Sequence, residues 1–322
     1  MTDPQAAGLR RGLTIGALHL DRRVMMAPMA GITTPAFRRS VRRWGAGLVF
    51  TEMISSHGID HGNRRTLDYL RCGADEHPIG FQLFGADPLV LARAADVCVR
   101  AGADLIDINM ACPVRKVVRT GAGAALLAEP KLASAVVAAV VDAVAEAVPV
   151  TVKLRAGMRM GDEAGPRVAP GLVAAGAAAV FLHPRYAAQL YRGAADHALT
   201  RRLVAELPVP VVASGDITSR QLCLELLTAG VAGVTVARAA LGRPWIFSAL
   251  LDARPDPPED ERLKELCLFV EEVVAERGPR AVGHLRRFWP GFRRSGTIDR
   301  ECARGLMTAP DSAAVRRLLG AA

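Results

Sequence analysis

The residues with chemistry to offer stand in small groups, each just past a short apolar run. The first run ends in Pro28-Met29-Ala30-Gly31 and the second in Thr51-Glu52. Gln82 and Gly85 follow in the third, and Asp107, Asn109 and Cys112 in the fourth. Lys153 and Arg155 close the fifth, His183 and Arg185 the sixth, Ser214-Gly215-Asp216 the seventh, and Arg238 the eighth. Cys112 lies between a strand end and Pro113. A thiol with an ordinary pKa of about 8.5 is mostly protonated at neutral pH yet can give up its proton. Arg115 and Lys116 are close enough in sequence to bring positive charge to it. Gln82 and Lys153 can hydrogen-bond the polar edge of a flavin, where a cation stabilises negative charge on the reduced ring. The small residues of 28–31 allow backbone to approach a flat ring closely.

The elements that must position these groups can be read from the apolar runs at residues 24–28, 48–51, 79–84, 105–109, 150–154, 179–183, 209–214 and 233–236. Each is short, as suits a strand buried on both faces. Between them lie Ala-, Leu- and Arg-rich stretches of helical period at 35–44, 88–101, 130–147, 169–175, 199–206 and 219–229. Strand alternating with helix predicts a parallel sheet, and eight such units close a (β/α)8 TIM barrel. Barrels of this kind carry their active sites at the C-terminal strand ends, which is where the chemical groups stand. The seventh and eighth strands commonly grip a phosphate through loop amides. Ser214-Gly215-Asp216 and Ala237-Arg238 occupy those places, with Arg238 adding charge.

The 322 residues suit a barrel of roughly 250 with an appendage. Beyond residue 251 comes a proline- and acid-rich linker, "DARPDPPEDE", and then helical periodicity from residue 261. The chain therefore divides into a barrel at 1–252 and a small C-terminal helical domain at 258–322. The net charge of +9 favours an anionic partner. The six cysteines form no CxxC pair and no zinc-type cluster with histidine, so no metal is expected. With no leader segment, a reducing cytoplasm is expected. The longest apolar run, 132–148, is broken by Ser134, Asp142 and Glu146, which speaks against a membrane span. A monomer is expected.

Seven motifs in fixed order make the reading specific: "APMAGITTPAFR", "TEMIS", "QLFG", "DINMACPVRKVVRTGAGAALL", "VKLRAGMR", "SGDI" and "ARAALGRPWIF". They resemble the successive motifs of the bacterial tRNA-dihydrouridine synthase family, most of all its B-type branch, over residues 24–250. The resemblance implies an FMN barrel that reduces uridine in tRNA with NADPH. Reduced flavin would give hydride to carbon 6 of uracil, and Cys112 would protonate carbon 5. It also implies FMN contacts at Pro28, Met29, Ala30, Gln82, Lys153, His183, Ser214, Gly215, Asp216, Ala237 and Arg238, with Asn109 between flavin and base.

A base in folded tRNA must leave its stack to be reached, so the protein should hold RNA backbone with basic residues. Arg115, Lys116 and Arg185 match the family's motifs. In the tail, "HLRRFWPGFRR" supplies Arg286 and Arg287 among aromatics, a composition suited to RNA contact. The same segment also reads as a helix with an aromatic core face and a solvated arginine face. Several positions depart from the family. Ala111 stands for glycine, Val118 for asparagine, Ser214 for asparagine and Ala237 for glycine. His183-Pro184-Arg185-Tyr186-Ala187 replaces the usual HGRTR. Pro184 removes an amide donor and restricts His183. Two other readings share these features: an FMN barrel reductase of a small molecule, and a non-catalytic RNA-binding paralogue.

Overall fold

The computed structural model describes residues 6–320. The outermost ends of the two expected units, residues 1–5 and 321–322, lie outside the described residues. All eight expected strands are present and parallel: β1 (Val24–Met26), β2 (Val49–Phe50), β3 (Ile79–Phe84), β4 (Leu105–Met110), β5 (Val150–Gly157), β6 (Ala179–Tyr186), β7 (Val211–Ser214) and β8 (Gly233–Val236). A two-residue strand, Ile54–Ser55, lies along the far end of β3. β8 pairs with β1. Between β1 and β2, the amides of Met26 and Gly47 donate to the carbonyls of Leu48 and Val24, each at 2.8 Å, which closes the barrel.

Alternation along the strands separates two apolar cores. Val24, Met26, Val49, Ile106, Val180 and Val211 face outward, in one core with the surrounding helices. Met25, Phe50, Leu105, Phe181 and Val212 face inward. Phe50 and Phe181 meet edge to face inside the barrel, with ring centroids 5.6 Å apart. The bottom is plugged by Leu13, Ile15 and Leu20 from an antiparallel hairpin (Leu13–Ile15 and Leu18–Leu20), which sequence patterning did not indicate. The parity that points Leu105 inward does the same for Asp107 and Asn109. It also turns Thr151, Lys153 and Arg155 inward, so the upper barrel is polar.

Two elements differ from expectation. The helix expected at 169–175 runs over Ala164–Ala174, with Pro170 inside it. Proline lacks the amide for one intrahelical bond, so helical periodicity breaks there although the helix continues. β6 extends through Pro184 to Tyr186. Its register with β5 shifts between the pairs Arg155–His183 and Gly157–Tyr186. Proline is tolerated at such an irregularity because no ladder donor is required of it.

After the linker come helices Glu259–Arg277, Ala281–Leu285, Trp289–Arg294, Arg300–Thr308 and Ser312–Leu318. Their core is continuous with the outer barrel core. Phe37, on helix Pro35–Arg43, packs against Phe269 and Phe288, with centroids at 6.3 and 5.5 Å, and those two rings meet each other at 4.8 Å. Around it, Arg39 and Arg43 of that helix pair with Glu265, Glu272 and Glu276 of the first C-terminal helix. No helix among the described residues is long and apolar enough to cross a membrane. Because Phe37 is 2% exposed and bridges two helical layers, Phe37→Ala is expected to destabilise the fold by about 3 kcal/mol or more. Denaturant unfolding measures this, and a loss below about 1 kcal/mol would mean the C-terminal helices are not held by this contact.

Candidate active site

The inward side chains of β3, β4 and β5 form one hydrogen-bonded layer. Asp107, 1% exposed, accepts from Gln82 Nε2 at 2.6 Å and from Thr151 Oγ1 at 2.8 Å. Gln82 Oε1 accepts from Asn109 Nδ2 at 2.7 Å. Asn109 Oδ1 in turn accepts the amides of Ala111 at 3.0 Å and Cys112 at 2.8 Å. The cysteine loop is thus tied to the barrel interior through two side-chain amides. Cys112 packs with Val117, Ala122, Met53 and Phe84.

Arg155 completes the loop's support. Its Nε donates to the Ala111 carbonyl at 2.8 Å and its Nη1 to the Leu190 carbonyl at 3.0 Å. Burial pushes the Cys112 thiol above its ordinary value, against the pull of the Val114 amide and the Arg155 charge. The cation that acts on this thiol is therefore Arg155. Arg115 and Lys116, expected in that role, are exposed on the following helical turn and point to solvent. Ala111 fits without strain because its φ is not positive.

Lys153 and Arg155 make the upper barrel cationic. Burial brings the Lys153 ammonium down to about 8, opposed by Asp107 and reinforced by Arg155. Its Nζ donates to Ser214 Oγ at 3.2 Å, and among the described residues no carboxylate pairs with it. His183 is held neutral by burial and by the charges of Arg155, Lys153, Arg185 and Arg238. An incoming anionic or electron-rich group would relieve this accumulation of positive charge.

At the ends of β7 and β8, Gly215 and Asp216 both adopt positive φ, 95° and 55°. A side chain on Gly215 would stand 2.5 Å from Cδ2 of His183, so only glycine lets the histidine lie there. Among the described residues, the amides of Gly215, Asp216, Ala237 and Arg238 donate to no protein acceptor. Successive free amides in such a turn form an anion-binding concavity. Asp216 bridges Arg185 at 2.6 Å and Arg238 at 3.3 Å. Despite some burial, those contacts hold its carboxyl below the ordinary range. An amide cradle for a phosphate, a cation aimed into the barrel and the side-chain amide of Gln82 together fit a flavin mononucleotide.

One expectation needs correction. Arg185 does not face outward toward RNA: it is 2% exposed. Its guanidinium is taken up by Asp216 and by the carbonyls of Gly193 and Arg192, on the same inward face of β6 as Phe181 and His183. Phe288, Trp289 and Phe292 are core residues at 0, 0 and 3% exposure, leaving an arginine face without aromatic interleaving. Arg287 donates to the Gly31 carbonyl at 2.6 Å and Arg286 to the Ala309 carbonyl at 3.4 Å, and both remain exposed. Pro28, Met29 and Ala30 follow the C-terminal end of β1, Pro28 and Met29 half-buried and Ala30 exposed. Tyr191, 57% exposed, was not marked by any motif. The guanidinium of Arg238 lies 4.8 Å from its ring centre and that of Arg155 5.8 Å.

Such a site, at the C-terminal end of a (β/α)8 barrel, stands where enzymes of this fold carry their active sites. Histamine dehydrogenase from Rhizobium sp. 4-9 shares the fold with a TM-score of 0.58 at 17% identity, over 78% of this chain and 48% of that one. Morphinone reductase, solved with tetrahydroNAD, does so with a TM-score of 0.56 at 15% identity, over 79% of this chain and 93% of that one. The family profile described as dihydrouridine synthase matches residues 25–284. The tRNA-dihydrouridine synthase B of Pseudomonas aeruginosa is 37% identical over 311 residues, 90% of this chain and 93% of that protein. That of Xanthomonas campestris is 41% identical over 236 residues, 73% of this chain and 70% of that protein. The chain belongs to the dihydrouridine synthase family.

The Cys112 geometry sets a testable reactivity. With its thiol raised by burial, carbamidomethylation of Cys112 by iodoacetamide should be slow at pH 7 and accelerate above pH 9. Arg155→Met removes the cation that favours thiolate, so the rise should move to still higher pH. Peptide mass spectrometry across pH reads both, and fast labelling at pH 7 would contradict the assigned environment.

Proposed function

We propose that the protein reduces uridine to 5,6-dihydrouridine in tRNA in the cytoplasm, with FMN as cofactor, NADPH as reductant and Cys112 as the proton donor. The observation that carries this reading is the relay from Asp107 through Gln82 and Asn109 to the Cys112 amide. It places the cysteine on the rim of the same layer that presents Lys153 and Gln82. The names of the relatives supply the substrate class.

FMN held there would supply hydride chemistry toward carbon 6 of the uracil, with NADPH as its reductant. Its phosphate would rest on the amides of Gly215, Asp216, Ala237 and Arg238, with Asp216 fixing Arg238 beside them. Lys153, Gln82, Ser214 and His183 would meet the ring system from below, and Pro28, Met29 and Ala30 would flank it. Neutral His183 can donate or accept a hydrogen bond without adding a further positive charge. Asn109 stands between the cofactor and the base. Cys112 Sγ, protonated at neutral pH, gives its proton to carbon 5 and leaves as thiolate, which the nearby Arg155 stabilises. Hydride and proton together saturate the 5,6 bond.

RNA would be held by Arg115 and Lys116 beside the cysteine. Arg286, with the equally exposed Arg293 and Arg294, would extend that surface onto the C-terminal helices, making 258–322 an RNA-binding unit. The test is to delete the gene in its host and measure dihydrouridine in tRNA, position by position, by mass spectrometry. One or more sites should be lost. Wild type should restore them, and Cys112→Ala should not, since a general acid contributes about a hundredfold or more. Full restoration by Cys112→Ala would refute the role of the thiol, and tRNA unchanged by the deletion would refute the substrate.

A further inference from the structure

Building on the flavin reading above, we propose that Arg287 is a positioning residue for the cofactor. From the C-terminal helices it fixes the loop after β1, on which the flavin rests.

The loop is a tight turn. The amides of Ile32 and Thr33 both donate to the Met29 carbonyl at 3.0 Å. The Met29 amide donates to Thr33 Oγ1 at 3.2 Å. At its apex Gly31 has φ 73°. Both polar groups of Gly31 are held by charged side chains from elsewhere in the chain. The Glu52 carboxylate, just past β2, accepts its amide. Arg287 Nη1 donates to its carbonyl at 2.6 Å. Glu52 is 5% exposed, and among the cations that counter its burial are Arg277, Arg287 and Arg38. Arg287 therefore serves the turn twice, through the Gly31 carbonyl and through the charge it offers the buried carboxylate.

The arginine comes from a fixed base. It sits between helices Ala281–Leu285 and Trp289–Arg294, beside Leu285, Phe288 and Trp289, each fully buried. Phe288 packs on Phe37 of the helix that directly follows the loop. A Cβ on Gly31 would lie 2.3 Å from Arg287 Nη1, so the guanidinium occupies the space where a side chain would stand. Held on both sides, Pro28-Met29-Ala30 enters cofactor binding already shaped, and preorganisation of this kind raises affinity without adding a contact. A basic residue of the tail thus also acts on the cofactor side of the barrel.

The experiment titrates FMN into apo-protein by fluorescence quenching with no RNA present. It compares wild type, Arg287→Gln, Arg287→Lys and, as a surface control, Arg304→Gln. Hydrogen exchange of the peptide containing Gly31 is followed in the same proteins. Arg287→Gln should weaken FMN binding about fivefold or more, as expected when a charge-assisted hydrogen bond is lost, and should speed exchange at Gly31. Arg287→Lys should fall between, and Arg304→Gln should match wild type. Unchanged FMN affinity and unchanged exchange in Arg287→Gln would overturn the proposal, most plainly if its KM for tRNA rose instead. Failure of wild type itself to bind FMN would refute the flavin reading, and with it the role given to Arg287.

Discussion

Asp107 is a carboxylate inside a barrel, almost wholly screened from water, accepting from Gln82 and Thr151. An ionised carboxylate only accepts hydrogen bonds. Gln82 must therefore turn its NH2 toward Asp107 and its carbonyl oxygen toward Asn109. Asn109 is left with its NH2 facing Gln82 and its oxygen facing the amides that start the cysteine loop. One buried charge thus fixes the orientation of two otherwise symmetrical-looking amides and the entry angle of the loop that carries Cys112. Reversing either amide would leave buried donors facing donors, at about 1–3 kcal/mol for each unsatisfied group. Burial pushes this carboxyl above its ordinary range, opposed by the hydrogen bonds from Gln82 and Thr151 and by the charge of Lys153.

The rest of the barrel is arranged around that layer. Below it the interior is apolar and sealed by the hairpin at Leu13–Ile15 and Leu18–Leu20. Above it lie Arg155, His183 and the turn at Gly215-Asp216. Positive charge accumulates at this level, and Asp216 is shared between two arginines. The result is a floor that excludes water and a rim that favours a phosphate and an electron-rich ring. Outside, the C-terminal helices share the barrel's own core, so they form part of the scaffold around the loop after β1.

The eight strands and the groups at their ends were legible because a strand buried on both faces leaves a short apolar run, and chemistry at the top of a barrel must follow it. Partners were less legible, since they depend on register and on long-range packing. Arg155 and Arg185 are alike in sequence. One braces the cysteine loop and the other is taken up inside the barrel by Asp216 at the end of β7. Pro170 concealed half of a helix, and the hairpin strands are too short to show a period. In "HLRRFWPGFRR" composition alone allowed two readings. Burial of Phe288, Trp289 and Phe292 decides for the core, and Arg287 reaches back to a loop 256 residues away. Tyr191 had no apolar run or motif to mark it, only its place between two guanidinium groups.

The most direct measurement is reconstitution. Purified protein, FMN, NADPH and an unmodified tRNA transcript are combined, and dihydrouridine in the RNA is quantified by mass spectrometry for wild type, Cys112→Ala and Asn109→Ala. The account predicts dihydrouridine only when all components are present, and a fall of about a hundredfold or more in Cys112→Ala. Flavin-dependent NADPH oxidation without dihydrouridine in the RNA, or a Cys112→Ala enzyme as active as wild type, would contradict it.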